Sequence, residues 1–418
     1  MRIIRTGVCL VLTFEVLAFG GVTEAGKAIL AAGAAGLLLV WGWMALRERH
    51  VRVQHNSLWP PLLGLIAVGL AQFFFGISAY RYGTKVELLG WAAILVLSFL
   101  TAESFRATED AKVFAWFLAG FGFFVSLFGI VQHFAFNGKL YWIVPMEAGG
   151  GAFGPFVDRD HFAGFVELTV PIGAALLIFR ACRREQMAIL GLVSVVPIGA
   201  LIRSGSRGGI LSLLVELIVL LYFWRKRNAG ARSILGIALL LVAASAFVVW
   251  LGSADTLQRF QRLKPGDLRS DQRLIMCRDT WRIFVQHFWT GTGLGTLRIV
   301  YPQYESEYNQ PGIDHAHNDY LELLAEEGVL GGLCGLGCIA ALFWQGLALY
   351  RSAESATEQA LYAGSLAACS GLLVHSLVDF NFHIPSNALL FFVLSAMATT
   401  KREESRQKEL MKNRKNTE

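Results

Sequence analysis

The segment that begins at His315 and His317 has the residue types that acid–base chemistry requires. An imidazole can accept or donate a proton at neutral pH, because its ordinary pKa is about 6.5. Asn318, Asp319 and Glu322 follow closely and could orient such a ring. Asp319 and Glu322 also have the spacing of a capping box, which predicts a helix with His317 just before its N-terminus. The segment therefore predicts a general base, with His317 as the first candidate.

Arginines form a second group of candidate residues. Arg207 lies in residues 206–209, which read Ser-Arg-Gly-Gly, and the glycines would let a guanidinium approach a phosphate and donate two hydrogen bonds. Arg203 lies near the same break between apolar runs, where an isolated arginine would ordinarily snorkel to a membrane interface. Arg273 opens a segment with aromatic residues at helical spacing. Together with a histidine base, these cations predict an anionic substrate, such as a lipid-linked diphosphate, and a hydroxyl acceptor.

Two further polar segments lie beside apolar runs. Residues 158–161 read Asp-Arg-Asp-His, and for Arg159 and His161 a structural ion cluster and a binding role both remain open. Residues 375–383 contain His375, Asp379, Asn381 and His383, and a structural ion cluster and a binding role remain open for them as well. No His-Glu-x-x-His or Cys-x-x-Cys motif points to a metal, so we predict chemistry without a metal, with arginine in place of a divalent ion.

The composition is that of an integral membrane protein. Hydrophobic residues make up 55% of the chain and charged residues 16%, with a mean hydropathy of +0.50; soluble domains have about 25% charged residues. The apolar runs have the length of membrane-spanning helices rather than of barrel strands, which predicts an all-α polytopic bundle of about twelve spans. We place the spans near residues 6–22, 27–46, 60–79, 86–103, 112–135, 164–180, 187–203, 208–224, 233–251, 328–350, 359–377 and 384–400.

The basic connectors between these spans set the predicted topology. They fall on alternate sides of consecutive spans, which places both termini in the cytoplasm. We therefore predict one transmembrane domain over 1–400, a charged cytoplasmic tail over 401–418, and a large extracytoplasmic loop over 252–327 between spans nine and ten. Trp281, Phe284 and Trp289 recur at helical spacing in this loop, which indicates amphipathic helices on the membrane or bundle surface.

Three motifs give the chain a resemblance to a known family. His317-Asn318 is followed, after nine residues, by a Gly-x-x-Gly-Gly segment at 328–332. Residues 206–209 supply a Ser-Arg-Gly-Gly turn, and Arg273 leads through a tryptophan to Gly-x-Gly-x-Gly at 291–295. In these motifs the chain resembles the O-antigen ligase family, the polytopic glycan ligases and polymerases of bacterial envelopes. The resemblance covers roughly residues 150–390.

The resemblance implies an inverting, metal-independent glycosyltransferase without cofactors, at the periplasmic face of the inner membrane. It would move a glycan from undecaprenyl diphosphate to a sugar hydroxyl, with lipid A–core as the acceptor of a ligase. By this analogy His317 is the base, and Arg207 and Arg273 bind the pyrophosphate. His315 is an alternative candidate for the base. The two acidic residues at 158–161 are a departure from the family, which often has amides at these positions. A polymerase using the same site is the nearest alternative; a protein O-oligosaccharyltransferase and a transporter or flippase are more distant ones.

Overall fold

The computed structural model describes residues 1–48, 53–146, 151–225, 272–307 and 312–403. These residues form an all-α protein with one short antiparallel hairpin, in which Lys139–Leu140 (β1) pairs with Val144–Pro145 (β2). The helices are α1 Arg2–Leu17, α2 Glu24–Glu48, α3 Trp59–Phe74, α4 Arg81–Ser104, α5 Thr108–Phe134, α6 Arg159–Ile178, α7 Gln186–Ser204, α8 Arg207–Arg225, α9 Gln272–Gln286, α10 Leu297–Val300, α11 Asp319–Ser352, α12 Ala356–His375 and α13 Pro385–Thr399. Single 3-10 turns lie at Phe19–Gly21, Tyr301–Gln303 and Asn381–His383.

The helices confirm an all-α, multi-pass membrane protein. Seven of the described helices are long and apolar enough to cross a membrane, namely α2, α4, α5, α6, α7, α8 and α11, and α3 and α13 are shorter apolar helices. Every predicted window except the ninth overlaps a described helix. The ninth window, at 233–251, and the first part of the predicted large loop lie outside the described residues, as do residues 404–418 of the predicted tail.

Helices α6 and α12 form the centre of the bundle. Nearly every side chain of α6 is buried, and α12 packs against both α6 and α8. Small residues permit the close approach, because a Cβ added to Gly364 would lie 3.0 Å from Ala175 Cβ and 3.1 Å from the carbonyl oxygen of Pro171. Small contact residues let helix backbones come together where lipid gives no hydrophobic drive for association. These two helices carry the polar groups described below.

The polar segment between α9 and α11 has a small hydrophobic cluster of its own. Its buried members are Ile283, Leu297, Val300, Tyr301, Ala316 and Ala325. The opposite side of α9 and the turn after it expose aromatic rings, with Trp281 49% and Trp289 69% exposed. The predicted amphipathic helix is therefore confirmed in the described part of the loop.

A backbone junction connects the end of α9 to α11 and uses the glycines of two motifs. The N–H of Val329 donates to the carbonyl of Phe288 (2.8 Å), and the N–H of Gly293 donates to the carbonyl of Glu326 (2.9 Å). Gly328 has φ 64° and ψ −164°, a conformation that is essentially restricted to glycine. A Cβ there would also lie 2.5 Å from the backbone of Trp289. The glycine motifs at 291–295 and 328–332 thus pack against each other, and this contact, called the structural joint below, sets the position of the polar segment between α9 and α11.

We expect Gly328→Ala to destabilise the protein, because the new Cβ meets backbone atoms that cannot move independently. The conformational strain alone is worth about 1–3 kcal/mol. Thermal unfolding in detergent should show a lower midpoint than the wild type. Gly120→Ala on α5 is the matched control, since nothing lies within 4 Å of a Cβ at that position. Equal melting points for the two variants would contradict a structural joint at Gly328.

Candidate functional site

The turn between α12 and α13 is the place where the three predicted motifs meet. Arg273 Nη1 donates to the carbonyl of Val378 (2.9 Å). His317 Nδ1 lies 3.1 Å from Asp379 Oδ1. A Cβ added to Gly208, in the Ser-Arg-Gly-Gly turn, would lie 3.1 Å from Val378 Cγ2. Three segments that are far apart in the sequence therefore meet at two consecutive residues, Val378 and Asp379.

His317 and Asp379 form a histidine–carboxylate pair at the surface of the bundle. Asp379 is buried, whereas the side chain of His317 is 28% exposed. Burial opposes the charged form of Asp379, but the hydrogen bond to His317 and the neighbouring His161 hold the pKa of its carboxyl group well below its ordinary value. An ionised partner at Nδ1 favours the tautomer with the proton on Nδ1, which leaves Nε2 as the basic nitrogen. This is the arrangement that a general base needs.

The backbone of His317 also has an uncommon conformation. Its φ is 51°, in the left-handed region, which histidine enters more often than most non-glycine residues. The neighbouring hydrogen bonds fix this conformation, because the N–H of Asp319 donates to the carbonyl of Ser376 (3.0 Å). Such local strain is typical of functional positions.

Asn318, and not Asp319, caps the helix that follows. Its Oδ1 accepts from the N–H of Leu321 (3.0 Å), while its Nδ2 donates to the carbonyl of Leu377 (2.9 Å). The predicted Asp-x-x-Glu capping box is therefore wrong. An amide both accepts and donates, so Asn318 can cap α11 and bind the α12–α13 turn together, which a carboxylate cannot do. Asp319 is left to bind residues 382–383 through its carboxylate.

His315 belongs to a second, more buried cluster. Its Nδ1 lies 2.7 Å from Glu322 Oε1, and Glu322 also lies 3.3 Å from His383 Nε2. Burial disfavours a charged His383, but Glu322 and the hydrogen bond to Asp319 raise its pKa to about 10, so it is an imidazolium at neutral pH. His315 and His317 thus each pair through Nδ1 with a buried carboxylate, and they differ in that the partner of His317 lies beside the Arg273 contact.

The 158–161 turn holds Arg273. Asp158 caps α6 by accepting from the N–H of Asp160 (2.7 Å), and Asp160 Oδ2 lies 3.4 Å from Arg273 Nη2. The acidic residues that depart from the family pattern therefore position an arginine. Arg159 begins α6 beside Gly151.

The other two arginines differ in their surroundings. Arg207 is the first residue of α8 and is exposed, and within the described part of the chain no hydrogen bond or ion pair engages its guanidinium. Arg203, in the last turn of α7, lies 5.7 Å from the ring centre of Phe134 on α5. That contact supports the membrane-interface interpretation for Arg203, while Arg207 is the better placed to bind a ligand.

A comparison with known protein families agrees with this arrangement. Residues 168–336 match the family model described as O-antigen ligase. This chain carries an O-antigen ligase domain. The resemblance predicted from the motifs is confirmed, and no curated protein matches the chain. The family implies glycan transfer of the ligase or polymerase kind from a lipid-linked substrate in a membrane.

The matched ligase segment contains Arg207, Arg273 and His317 but ends before the turn that joins them. Phe380 on that turn touches three imidazoles, with ring centres 4.7 Å from His161, 4.4 Å from His315 and 4.8 Å from His317. Sequence reasoning missed Phe380, because one more aromatic residue in an apolar segment gives no signal. From the sequence, Asp379 was only one member of a polar segment for which a structural role and a binding role both remained open.

Among the described residues, two sets of side chains have donor atoms that could hold a metal ion. One consists of His315, Glu322 and His383, and the other of Asp160, His375 and Asp379; in each set the donor atoms lie within 4.8 Å of one another. In the first set Glu322 pairs with both histidines, and in the second Asp160 pairs with Arg273 outside the set. Metal-independent chemistry remains a prediction.

An apolar cavity of about 420 Å³ lies among α3, α4, α11 and α13. It borders the His383 cluster and is lined mainly by leucines and phenylalanines, with buried acidic side chains at Glu326 and Glu327. Hydrocarbon suits such a lining, whereas carboxylates disfavour a diphosphate. The cavity therefore disfavours a diphosphate group.

Gly208→Ala should strongly reduce glycan transfer without removing any functional group. The added Cβ would lie 2.5 Å from His375 Cδ2 and 2.6 Å from its Nε2, and that ring is fully buried and cannot swing away. The ring would press on the turn that carries Asp379. Transfer can be measured in a deletion strain complemented with each variant. Gly36→Ala on α2, with nothing within 4 Å of its Cβ, should behave as wild type, and equal activity of both variants would contradict this prediction.

Proposed function

We propose that this protein is a ligase-type inverting glycosyltransferase at the periplasmic face of the bacterial inner membrane. It moves a glycan from undecaprenyl diphosphate to a sugar hydroxyl of lipid A–core. The observation that carries the proposal is the His317–Asp379 pair, which lies on the same turn as the Arg273 contact and the Ser-Arg-Gly-Gly segment. The family match supports the coarser activity, glycan transfer from a lipid-linked donor.

In the proposed reaction His317 Nε2 accepts the proton of the acceptor hydroxyl. The hydroxyl oxygen forms a bond to the anomeric carbon on the face opposite the diphosphate, and the bond from that carbon to the diphosphate oxygen breaks with its electron pair. The configuration at the carbon is inverted. Asp379 stabilises the imidazolium that results, because it is buried, ionised and hydrogen-bonded to Nδ1. A positioned base of this kind contributes about 10²–10⁴-fold in rate.

The two arginines stabilise the leaving diphosphate. Arg273 is held by Val378 and Asp160 with its side chain 42% exposed, so its guanidinium is preorganised yet accessible. Arg207 stands at the N-terminus of α8, where backbone dipoles also favour an anion. These two cations would take the role that a divalent ion plays in other diphosphate-dependent transferases. We therefore propose that the transfer needs no metal.

A polymerase with another lipid-linked glycan as acceptor is the second candidate, since the family match covers both activities. The chemistry at His317 would be unchanged. A transporter or flippase is a weaker candidate, because the motif residues converge on one turn between α12 and α13, whereas a carrier keeps its charges along a path through the bilayer.

Lipopolysaccharide from a deletion strain separates these candidates. Loss of all glycan-capped material, restored by the wild-type gene, indicates a ligase. Capping by a single repeat indicates a polymerase. An unchanged ladder would contradict both activities, and glycan retained on the cytoplasmic side would favour a flippase.

A further inference from the structure

The outer side of α9 carries a strip of apolar side chains. Leu274, Trp281 and Val285 recur at spacings of seven and four residues, so they lie on one face of the helix. Phe288 and Trp289 extend this face into the turn that follows. The five side chains, called the α9 strip below, are each between 42% and 69% exposed. Exposed apolar surface of this kind marks a site of contact with a partner or with lipid.

The α9 strip continues into the lipid-facing surface of the bundle. At the structural joint the N–H of Val329 donates to the carbonyl of Phe288 (2.8 Å), so the end of the strip adjoins α11. That helix is long and apolar enough to cross a membrane, and its Leu333 is 61% exposed. Gln72, near the end of the apolar helix α3, donates to the carbonyl of Thr290 (2.6 Å). Both neighbours of the strip are therefore apolar helices of the bundle, and exposed leucines on such a helix face lipid.

Two arginines flank the strip and complement a membrane surface. The side chains of Arg278 and Arg282 are about half exposed, and the buried Asp279 lies 3.6 Å and 3.4 Å from one nitrogen of each. Cationic side chains beside an apolar face can reach lipid phosphates while the apolar groups lie deeper. Tryptophan is enriched at the boundary between membrane and water. A glycan would need hydrogen-bonding groups along the strip itself, which offers only two indole N–H groups.

We propose that α9 is an interfacial helix, with the α9 strip in the boundary between lipid headgroups and acyl chains, on the side of the bilayer where the α12–α13 turn lies. The sequence leaves both the membrane surface and the bundle surface open for this helix. Ile283 and Phe284 are buried on its inner side, so the strip faces away from the bundle. From Leu274 to Val285 the strip is about 16 Å long, at about 1.5 Å per residue. The helix therefore lies along the membrane surface and does not enter it end-on.

This orientation also fixes the depth of Arg273, and what that depth means for catalysis rests on the proposed function. Arg273 precedes Leu274 at the start of α9, so its guanidinium lies at the level of the headgroup phosphates. A lipid-linked donor has its diphosphate at the same level, because its chain lies in the bilayer. The interfacial helix thus presents Arg273 to a diphosphate that is fixed in the membrane.

Spin-label accessibility tests the position of the strip. p-Acetylphenylalanine is placed at Val285 of the full-length protein and labelled through its ketone, which leaves the six native cysteines unchanged. Labels at Leu333 on α11 and at Arg298 on α10 give the lipid reference and the water reference. In nanodiscs of phosphatidylethanolamine and phosphatidylglycerol, collisions with oxygen report hydrocarbon and collisions with a nickel chelate report water. The oxygen-to-nickel ratio at Val285 should resemble that at Leu333 and exceed that at Arg298.

The same ratio at Val285 as at Arg298 would overturn the proposal. Low collision rates with both reagents would overturn it too, since a second copy of the protein or another segment of the chain would then cover the strip. A label at Trp281 should give the same depth as the label at Val285, because both lie on one face of a helix parallel to the membrane. Unequal depths would contradict this orientation.

Val285→Glu tests the consequence for Arg273. The new charge should raise the KM for a long-chain polyprenyl-diphosphate donor in nanodiscs by about 10-fold or more, the factor equivalent to losing the burial of one valine side chain. The KM for a water-soluble short-chain donor should not change, because its diphosphate has no fixed depth. Gln286→Glu is the matched control. It adds the same charge at the next residue, beside Tyr304 and off the strip, and should leave both KM values unchanged.

Equal rises with both donors, or no rise with either, would show that α9 does not set the depth of Arg273. If the wild type transfers no glycan from either donor, the proposed function fails. The spin-label measurement still decides whether α9 lies in the membrane interface, because it needs no substrate.

Discussion

We expect His317→Ala to reduce glycan transfer by about 10²–10⁴-fold and to leave the protein folded in the membrane. The size follows from the loss of a base that contributes about 10²–10⁴-fold. The ring is partly exposed and makes one described hydrogen bond, to Asp379, so its removal leaves no large cavity. Complemented deletion strains and purified protein both report the loss. Wild-type banding with His317→Ala would remove the basis of the proposed mechanism.

His315→Ala is the matched control for this experiment. The two residues have the same ring, a carboxylate contact at Nδ1 and similar exposure. They differ in their neighbours, since Asp379 directly follows Val378, whose carbonyl accepts from Arg273, whereas Glu322 lies beside His383. We expect His315→Ala to retain most transfer activity, with any loss accompanied by a lower melting point. A greater loss at His315 than at His317 would reassign the base.

Asp379→Asn should give an intermediate loss of transfer. The ionised carboxylate favours the His317 tautomer with the proton on Nδ1 and stabilises the imidazolium that forms in the reaction. The pKa of Asp379 lies below its ordinary value, so it is ionised throughout the neutral range and its effect is lost only under strong acid. The neutral amide should therefore lower kcat at neutral pH.

The helices could be predicted from the sequence and candidate site residues could be chosen from it, because both leave local signals; the roles of the site residues stay predictions. Apolar windows of spanning length mark the helices, and His317-Asn318 with the following glycines has a fixed spacing. The role of Asn318 could not be predicted, since its second hydrogen bond reaches Leu377 on a turn that is distant in the sequence. The spacing at Asp319 fitted a capping box equally well. Only the contact of Asn318 with the α12–α13 turn shows that Asn318, and not Asp319, is the N-cap.

The turn between α12 and α13 is the part of the site that is hardest to predict from the sequence. Asp379 and Phe380 gain their roles from contacts with α6 and with the segment before α11, and none of those contacts produces a pattern in the local sequence. The same holds for the Asp residues at 158 and 160, which look unfavourable beside a diphosphate until Arg273 is found between Asp160 and Val378. Long-range ion pairs depend on the packing of α6 against α12 and not on residue spacing.

Arg207→Lys should reduce transfer by about 10²–10³-fold, the range found when one preorganised donor to a developing anion is removed. A lysine keeps the charge but replaces a planar fork with a single point charge, so it cannot bind two oxygens of a diphosphate in parallel. Arg207 is exposed at the start of α8, and the described structure gives it no packing role. The substitution should therefore leave the melting point unchanged.

Arg273→Lys should cause a comparable loss together with a small drop in stability. Arg273 binds the carbonyl of Val378 and the carboxylate of Asp160 as well as the proposed diphosphate, and lysine cannot keep all three contacts. Arg282→Lys on the same helix is the control, because Arg282 pairs with Asp279 away from the turn. Binding of a short-chain prenyl diphosphate, measured by its protection against thermal unfolding, should weaken in both site variants and not in the control. Unchanged binding and transfer in Arg207→Lys and Arg273→Lys would show that the diphosphate binds elsewhere. Arg273 would then serve only to hold the turn at Val378 that orients His317.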